Sequence, residues 1–130
     1  MKIADDRPLI LIIESKQDTA NALSMLLEDW GFSYVVADSA GEAILVLGSR
    51  LKDIEALITD YDVGDTAAGI GGAITVANAI GHPVPTLVIT GFTELAEHLE
   101  PFPVLSKPFD PSRLHQWLRA QLQGGETHPA

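Results

Sequence analysis

The chain has 130 residues, 46% of them hydrophobic and 20% charged, with no cysteine. That suffices for one domain with a proper core and excludes a disulfide scaffold, a thiolate zinc site and a catalytic thiol. Eighteen acids against eight Lys and Arg give a formal charge of −10, which argues against a nucleic-acid partner and fits a basic partner or a site that holds a cation.

Pro8 closes a short N-terminal arm, residues 1–8, which lacks the apolar region of a signal peptide. Leu9-Ile10-Leu11-Ile12-Ile13 is the longest aliphatic run; it is far too short to span a bilayer, so no membrane contact and a cytoplasmic location are expected. It has the continuous β-prone character of a strand covered on both faces, and it stops at Glu14. Ser15-x-x-Asp18 reads as a helix cap, after which Leu23, Leu26, Leu27 and Trp30 recur at helical spacing until Gly31 ends the segment. Phe32 to Ala37 holds a second apolar run, and Ser39-Ala40-Gly41-Glu42 has capping-box spacing before Ala43, Ile44 and Leu47 line a second helix.

Ala56 to Thr59 forms the third strand and ends abruptly on Asp60. A glycine-rich loop from Gly64 to Gly72 leads to a helix with Ile74, Ala77 and Ile80 inward, and His82-Pro83-Val84-Pro85 makes the next loop. Thr86 to Ile89 is the fourth strand, ending on Thr90-Gly91, and residues 93–99 leave room for only about two helical turns. Val104 and Leu105 make a brief fifth strand. Asp110-Pro111 then opens the last helix with an acceptor at the cap and proline in the first turn, and Leu114, Trp117, Leu118 and Leu122 form its apolar stripe. Gly124-Gly125 ends it, leaving residues 124–130 as a tail. Trp30 and Trp117 read as core, and His82, His98, His115 and His128 as surface residues without metal-ligand spacing.

Five strand–helix alternations with right-handed crossovers give an α/β domain over residues 9–123, a five-stranded parallel sheet with helices on both faces. Ligands of such sheets bind at the carboxyl ends of the strands, where Glu14 with Ser15, Asp60, Thr90 and Lys107 are expected to meet. A carboxylate nucleophile, a second acid for a divalent cation, a hydroxyl and an ammonium are the groups that receive a phosphoryl group. Taken singly each has a plainer role: Asp60 as a turn former, Thr90 as a strand-end hydroxyl, Lys107 as a solvated cation.

Leu-Ile-Leu-Ile-Ile-Glu at 9–14, Leu-Ile-Thr-Asp at 57–60, Val-Ile-Thr-Gly at 88–91 and Ser-Lys-Pro-Phe at 106–109 together resemble the receiver domains of two-component response regulators, CheY-like domains of flavodoxin-like (βα)5 fold. The resemblance runs from about Leu9 to Leu122 and implies that Asp60 takes phosphate from a sensor histidine kinase or a histidine phosphotransfer protein. It also implies Mg²⁺ held by Glu14, Asp60 and the backbone carbonyl of Asp62. Thr90 would turn toward the acyl phosphate and Lys107 would pair with it. The Lys107–Pro108 bond would be cis, and an unidentified protein target would be reached through the fourth helix, fifth strand and fifth helix.

Receivers usually carry two adjacent acids after the first strand, and the second, the direct metal ligand, is Ser15 here. A neutral hydroxyl is a poor substitute for carboxylate on a hard dication, so Mg²⁺ binding is expected to be weak and Ser15 reads first as a cap. Asp62 or Asp18 could supply the missing charge, and Asp62 is placed to alter phosphate lifetime. Val104 stands where the family often has an aromatic that swings on activation, which valine cannot do. Two other readings stand beside the phosphorylatable receiver. One is a pseudo-receiver that binds partners without phosphate. The other is a phosphatase of the haloacid dehalogenase type suggested by Asp60-Tyr61-Asp62, disfavoured because that motif normally ends the first strand and no acidic pair follows Lys107. The domain itself is expected not to be an enzyme.

Overall fold

The computed structural model describes residues 7–60, 76, 78–91 and 103–123, with the side chain of Gln123 left aside. Its strands are β1 (Leu9–Ile13), β2 (Ser33–Ala37), β3 (Ile54–Asp60), β4 (Thr86–Thr90) and β5 (Val104–Ser106), and its longer helices are α1 (Gln17–Asp29), α2 (Ala40–Leu47) and α3 (Pro111–Gln123). All strand pairs are parallel and the sheet runs β2-β1-β3-β4-β5. The expected α/β architecture with helices on both faces is therefore present. Ile74 and Ala77, the glycine-rich loop and the short fourth helix fall outside the described residues.

The alternation of a strand explains why β1 is apolar throughout. Leu9, Leu11 and Ile13 point to one face, where they meet Ala43 and Leu47 of α2 together with Val76 and Ile80; Ile10 and Ile12 point to the other, against Leu23 and Leu27 of α1 and Leu114 and Leu118 of α3. Both faces are dry: Leu11, Ile12, Leu27 and Leu118 are all completely buried. Truncating any of them to alanine costs about 2–5 kcal/mol.

Local chemistry sets the helix ends. Ser39 Oγ accepts from the Glu42 amide at 3.1 Å and the Glu42 carboxylate accepts from the Asp38 amide, so the second helix carries the expected reciprocal cap displaced by one residue. Asp110 Oδ1 accepts from the Ser112 amide at 2.9 Å, holding the Asp110 carboxyl below its usual range and starting α3 as expected. Gly31, at φ +88°, turns the chain out of α1 in a conformation that a side chain would strain.

Three expectations are corrected. Ser15 does not cap α1: Lys16 is the cap residue, it makes no side-chain capping bond, and Ser15 is exposed. Trp30 packs against the core as expected, and as the half-buried C-cap residue of α1 it also stacks its ring on His115 at 4.2 Å between centroids and 1° between planes. His115 is accordingly no plain surface residue, because stacking on Trp30 ties the end of α1 to α3. The segment before β3 also has structure of its own, a 3₁₀ helix over Gly48–Asp53, and β3 begins two residues earlier than its apolar run suggests.

Candidate functional site

The strand order reverses direction between β1 and β3, the crevice where open sheets of this kind bind ligands. Asp60 is the last residue of β3 and Glu14 the first after β1; they are 3% and 2% exposed. Register places them side by side, since Ile13 pairs with Thr59 and each chain then advances by one residue. The Glu14 amide donates to the Ala37 carbonyl at 2.9 Å, continuing the β1–β2 ladder. Its carboxylate Oε2 accepts from the Lys16 amide at 3.0 Å, and that bond replaces the cap the sequence suggested for Ser15.

Thr90 ends β4 and is completely buried. Its carbonyl accepts from the Lys107 amide at 2.8 Å, and Thr90 pairs with Ser106, which delivers Lys107 to the same edge. The Lys107–Pro108 bond is cis, as the sequence resemblance implied. Lys107 Nζ lies 3.1 Å from Asp60 Oδ1, an ion pair whose anionic side is only 2% exposed. Two carboxyls, a hydroxyl residue and an ammonium therefore converge on one edge. Ser15 stands exposed beside them, and Asp62 is outside the described residues.

Burial pushes the Glu14 carboxyl up from its ordinary 4.5 to about 7, and its hydrogen bond to Asp60 adds to the rise. The Lys16 amide pulls the other way, the Asp60 charge raises it further, and the Lys107 ammonium opposes more weakly. Two adjacent carboxyls facing one ammonium are short of positive charge. Such hard oxygens suit a dication that takes one or two carboxylates and completes its shell with water and phosphate oxygens. Among the described residues no third acid or imidazole joins them in a metal-binding group, in keeping with serine at position 15.

The order β2-β1-β3-β4-β5, with an acid after β1, an aspartate ending β3 and a lysine following β5, is that of the response regulator receiver fold. Several solved structures similar to this chain are receivers of this fold. The signal receiver domain of a modulated diguanylate cyclase from Desulfovibrio desulfuricans G20 matches with a TM-score of 0.74 at 22% identity, over 95% of this chain and 100% of that one. A CheY-like response regulator receiver domain from Methylobacillus flagellatus gives 0.71 at 25% identity, over 88% and 98%. A two-component response regulator from Clostridium difficile gives 0.76 at 21% identity, over 93% and 100%. No family model and no curated protein sequence matches the chain. No helix among the described residues is long and apolar enough to cross a membrane.

Proposed function

We propose that this chain works as a receiver in two-component signalling, accepting a phosphoryl group on Asp60 from the phosphohistidine of a sensor kinase or phosphotransfer protein and relaying the change to a protein target. The observation that carries this reading is the buried Asp60–Lys107 pair with Glu14 beside it at the switch point of the sheet. An oxygen of Asp60 attacks phosphorus, the phosphorus–nitrogen bond breaks with its electron pair passing to the donor imidazole, and an acyl phosphate remains on Asp60. Lys107 offsets the charge on the phosphoryl oxygens, and Thr90 supplies a hydroxyl at the same edge. Glu14 and Asp60, with the Asp62 carbonyl that the resemblance implies, would hold Mg²⁺, which when bound would shield the phosphoryl charge.

Ser15 supports a second reading. With one acid where receivers usually have two, the pocket is poorer in charge, and a module that binds its partner without phosphate is the consequence if the cation is held too weakly. The dehalogenase-type hydrolase finds less support, since Asp60 ends the third strand and not the first.

Incubation with Mg²⁺ and acetyl phosphate, followed by intact mass, is expected to give one phosphoryl adduct that Asp60→Asn abolishes. An unmodified protein at millimolar Mg²⁺ would leave the phosphate-independent module. Steady release of phosphate from small phosphoesters would point to the hydrolase.

A further inference from the structure

Helix α2 carries one charged residue, Glu42, among its eight. Ala43 and Leu47 face the core, whereas Leu45 and Val46 stand in solvent, 85% and 66% exposed. Scattered aliphatics are ordinary on a protein surface, but two side by side on so apolar a helix form a strip that water covers poorly. Leu45 lies one turn beyond Gly41 on the same outer face. Gly41 has no positive φ, and a Cβ built on it would meet only Ser39 Oγ, at 3.9 Å. The fold therefore does not require glycine at this position, and glycine weakens a helix. Its missing side chain leaves a hollow on the outside, next to a protruding leucine.

The charges beside the strip are sorted by sign. Asp38 and Glu42 are exposed at the amino end of α2, and Arg50 and Lys52 are exposed beyond its carboxyl end, on the 3₁₀ helix that Asp53 closes. Two acids thus precede the strip and a net positive charge follows it, in a chain of net charge −10. Such a surface is complementary to itself. A twofold axis across the middle of α2 sets a second copy antiparallel and brings the acids of each copy to the cations of the other. The same axis opposes Leu45 of each copy to Gly41 of the other, since the two positions lie on either side of the middle of the helix.

We infer that α2 is a self-association face, on which a second copy of this chain docks antiparallel. Leu45 of each copy seats over the other's Gly41, where the absent side chain lets the helices approach closely, and Asp38 and Glu42 face the other copy's Arg50 and Lys52. Eight helical residues span only about 12 Å, well short of the roughly 800 Å² per partner that stable complexes bury. The dimer is accordingly weak, forming at concentrations on the order of 0.1–1 mM. Neither Asp60 nor Lys107 takes part, so the association holds whether or not Asp60 accepts phosphate.

Sedimentation velocity of the full chain, from about 10 μM to about 2 mM, tests this. The weight-average coefficient is expected to rise with concentration. Leu45→Asp, at an exposed position, should keep the parent's far-UV circular dichroism and lose about tenfold or more in dimer affinity. Asp38→Lys and Arg50→Glu should each weaken the dimer; Asp38 is the acid to change because Glu42 also caps the helix. Combining the two restores opposite charges across the axis and should recover most of the loss, a recovery that only a face pairing with itself gives. A chain that stays monomeric to about 2 mM would overturn the inference and leave the strip to a different protein. An unchanged dimer in folded Leu45→Asp, or a charge-swapped double variant weaker than both single ones, would overturn it as well.

Discussion

At the carboxyl edge of the sheet Glu14, Asp60 and Thr90 are 2%, 3% and 0% exposed, whereas at the amino edge Arg50, Lys52, Glu55 and His82 stand in solvent. Asp60 and Thr90 end strands and Glu14 follows one, whereas of the second set only Glu55 lies on a strand, with Arg50 and Lys52 on the 3₁₀ helix and His82 in the loop before β4. Where the groups are dry, each depends on its neighbours: Asp60 pairs with Lys107, Glu14 accepts from the Lys16 amide, and burial, followed by the hydrogen bond to Asp60, drives the Glu14 carboxyl upward. Where they are wet, water does the work of a partner and each charge costs little to keep. The first arrangement couples its charges to one another and the second leaves them to solvent. The contrast can be broken by showing that carboxyl-edge substitutions are energetically bland or that amino-edge ones are not.

The largest effect is expected at Glu14. Its folded carboxyl titrates near 7 against an ordinary 4.5, so between those values the folded chain holds more protons than the unfolded chain. The stabilisation this brings is complete below about 4.5 and is lost as pH rises through about 7. Glu14→Gln can still accept from the Lys16 amide but does not titrate. Urea denaturation in chelator should therefore show the parent losing about 3 kcal/mol relative to Glu14→Gln between pH 4 and pH 8. Parallel stability curves for the two proteins would mean that Glu14 is not desolvated beside Asp60.

A somewhat smaller loss is expected at Lys107. Lys107→Met leaves the Asp60 carboxylate buried next to Glu14 without its ammonium, and because Lys107 is itself 22% exposed the loss falls below the roughly 3–5 kcal/mol of breaking a fully buried pair. The second substitution matters more than the first. Adding Asp60→Asn removes the stranded charge and should recover most of the loss at pH 8 in the same denaturation assay. A double variant no more stable than Lys107→Met would show that the lysine acts through its packing.

Much of this could be read along the chain because it is local or can be counted. The aliphatic runs of β1, β3 and β4, covered on both faces, identify themselves, and Asp60 and Thr90 close their strands, with Lys107 just after its own, at positions that counting alone brings to one edge. What escaped depends on neighbours far along the chain. Glu14 reaches the Lys16 amide only because its own amide extends the ladder to Ala37, and that leaves Ser15 outside the cap. Trp30 and His115 are 85 positions apart in sequence and meet because α1 and α3 share a face of the sheet. The register shift between β1 and β3, where Leu9 pairs with Ile54 but Ile10 with Ala56, skips Glu55 and leaves it exposed at the amino edge, a detail no periodicity reveals.

The smallest effect is the one that gives the comparison its edge. Arg50 and Lys52 sit on the 3₁₀ helix, exposed and without ion pairs among the described residues, so their charges are solvated in both folded and unfolded chains. Arg50→Ala and Lys52→Ala should each move stability by less than about 0.5 kcal/mol, against the several kcal/mol at the other edge. The 3₁₀ helix has its own anchor in Leu51, which is 6% exposed and packs in the core beside Leu47 and Ile54, so neither substitution loosens it. Thermal denaturation of the two variants at pH 7 checks this. A loss above about 1 kcal/mol would mean that the side chains are structural. Near-neutral stability would show that solvent holds these charges at the amino edge, in contrast to the protein partners that hold those at the carboxyl edge.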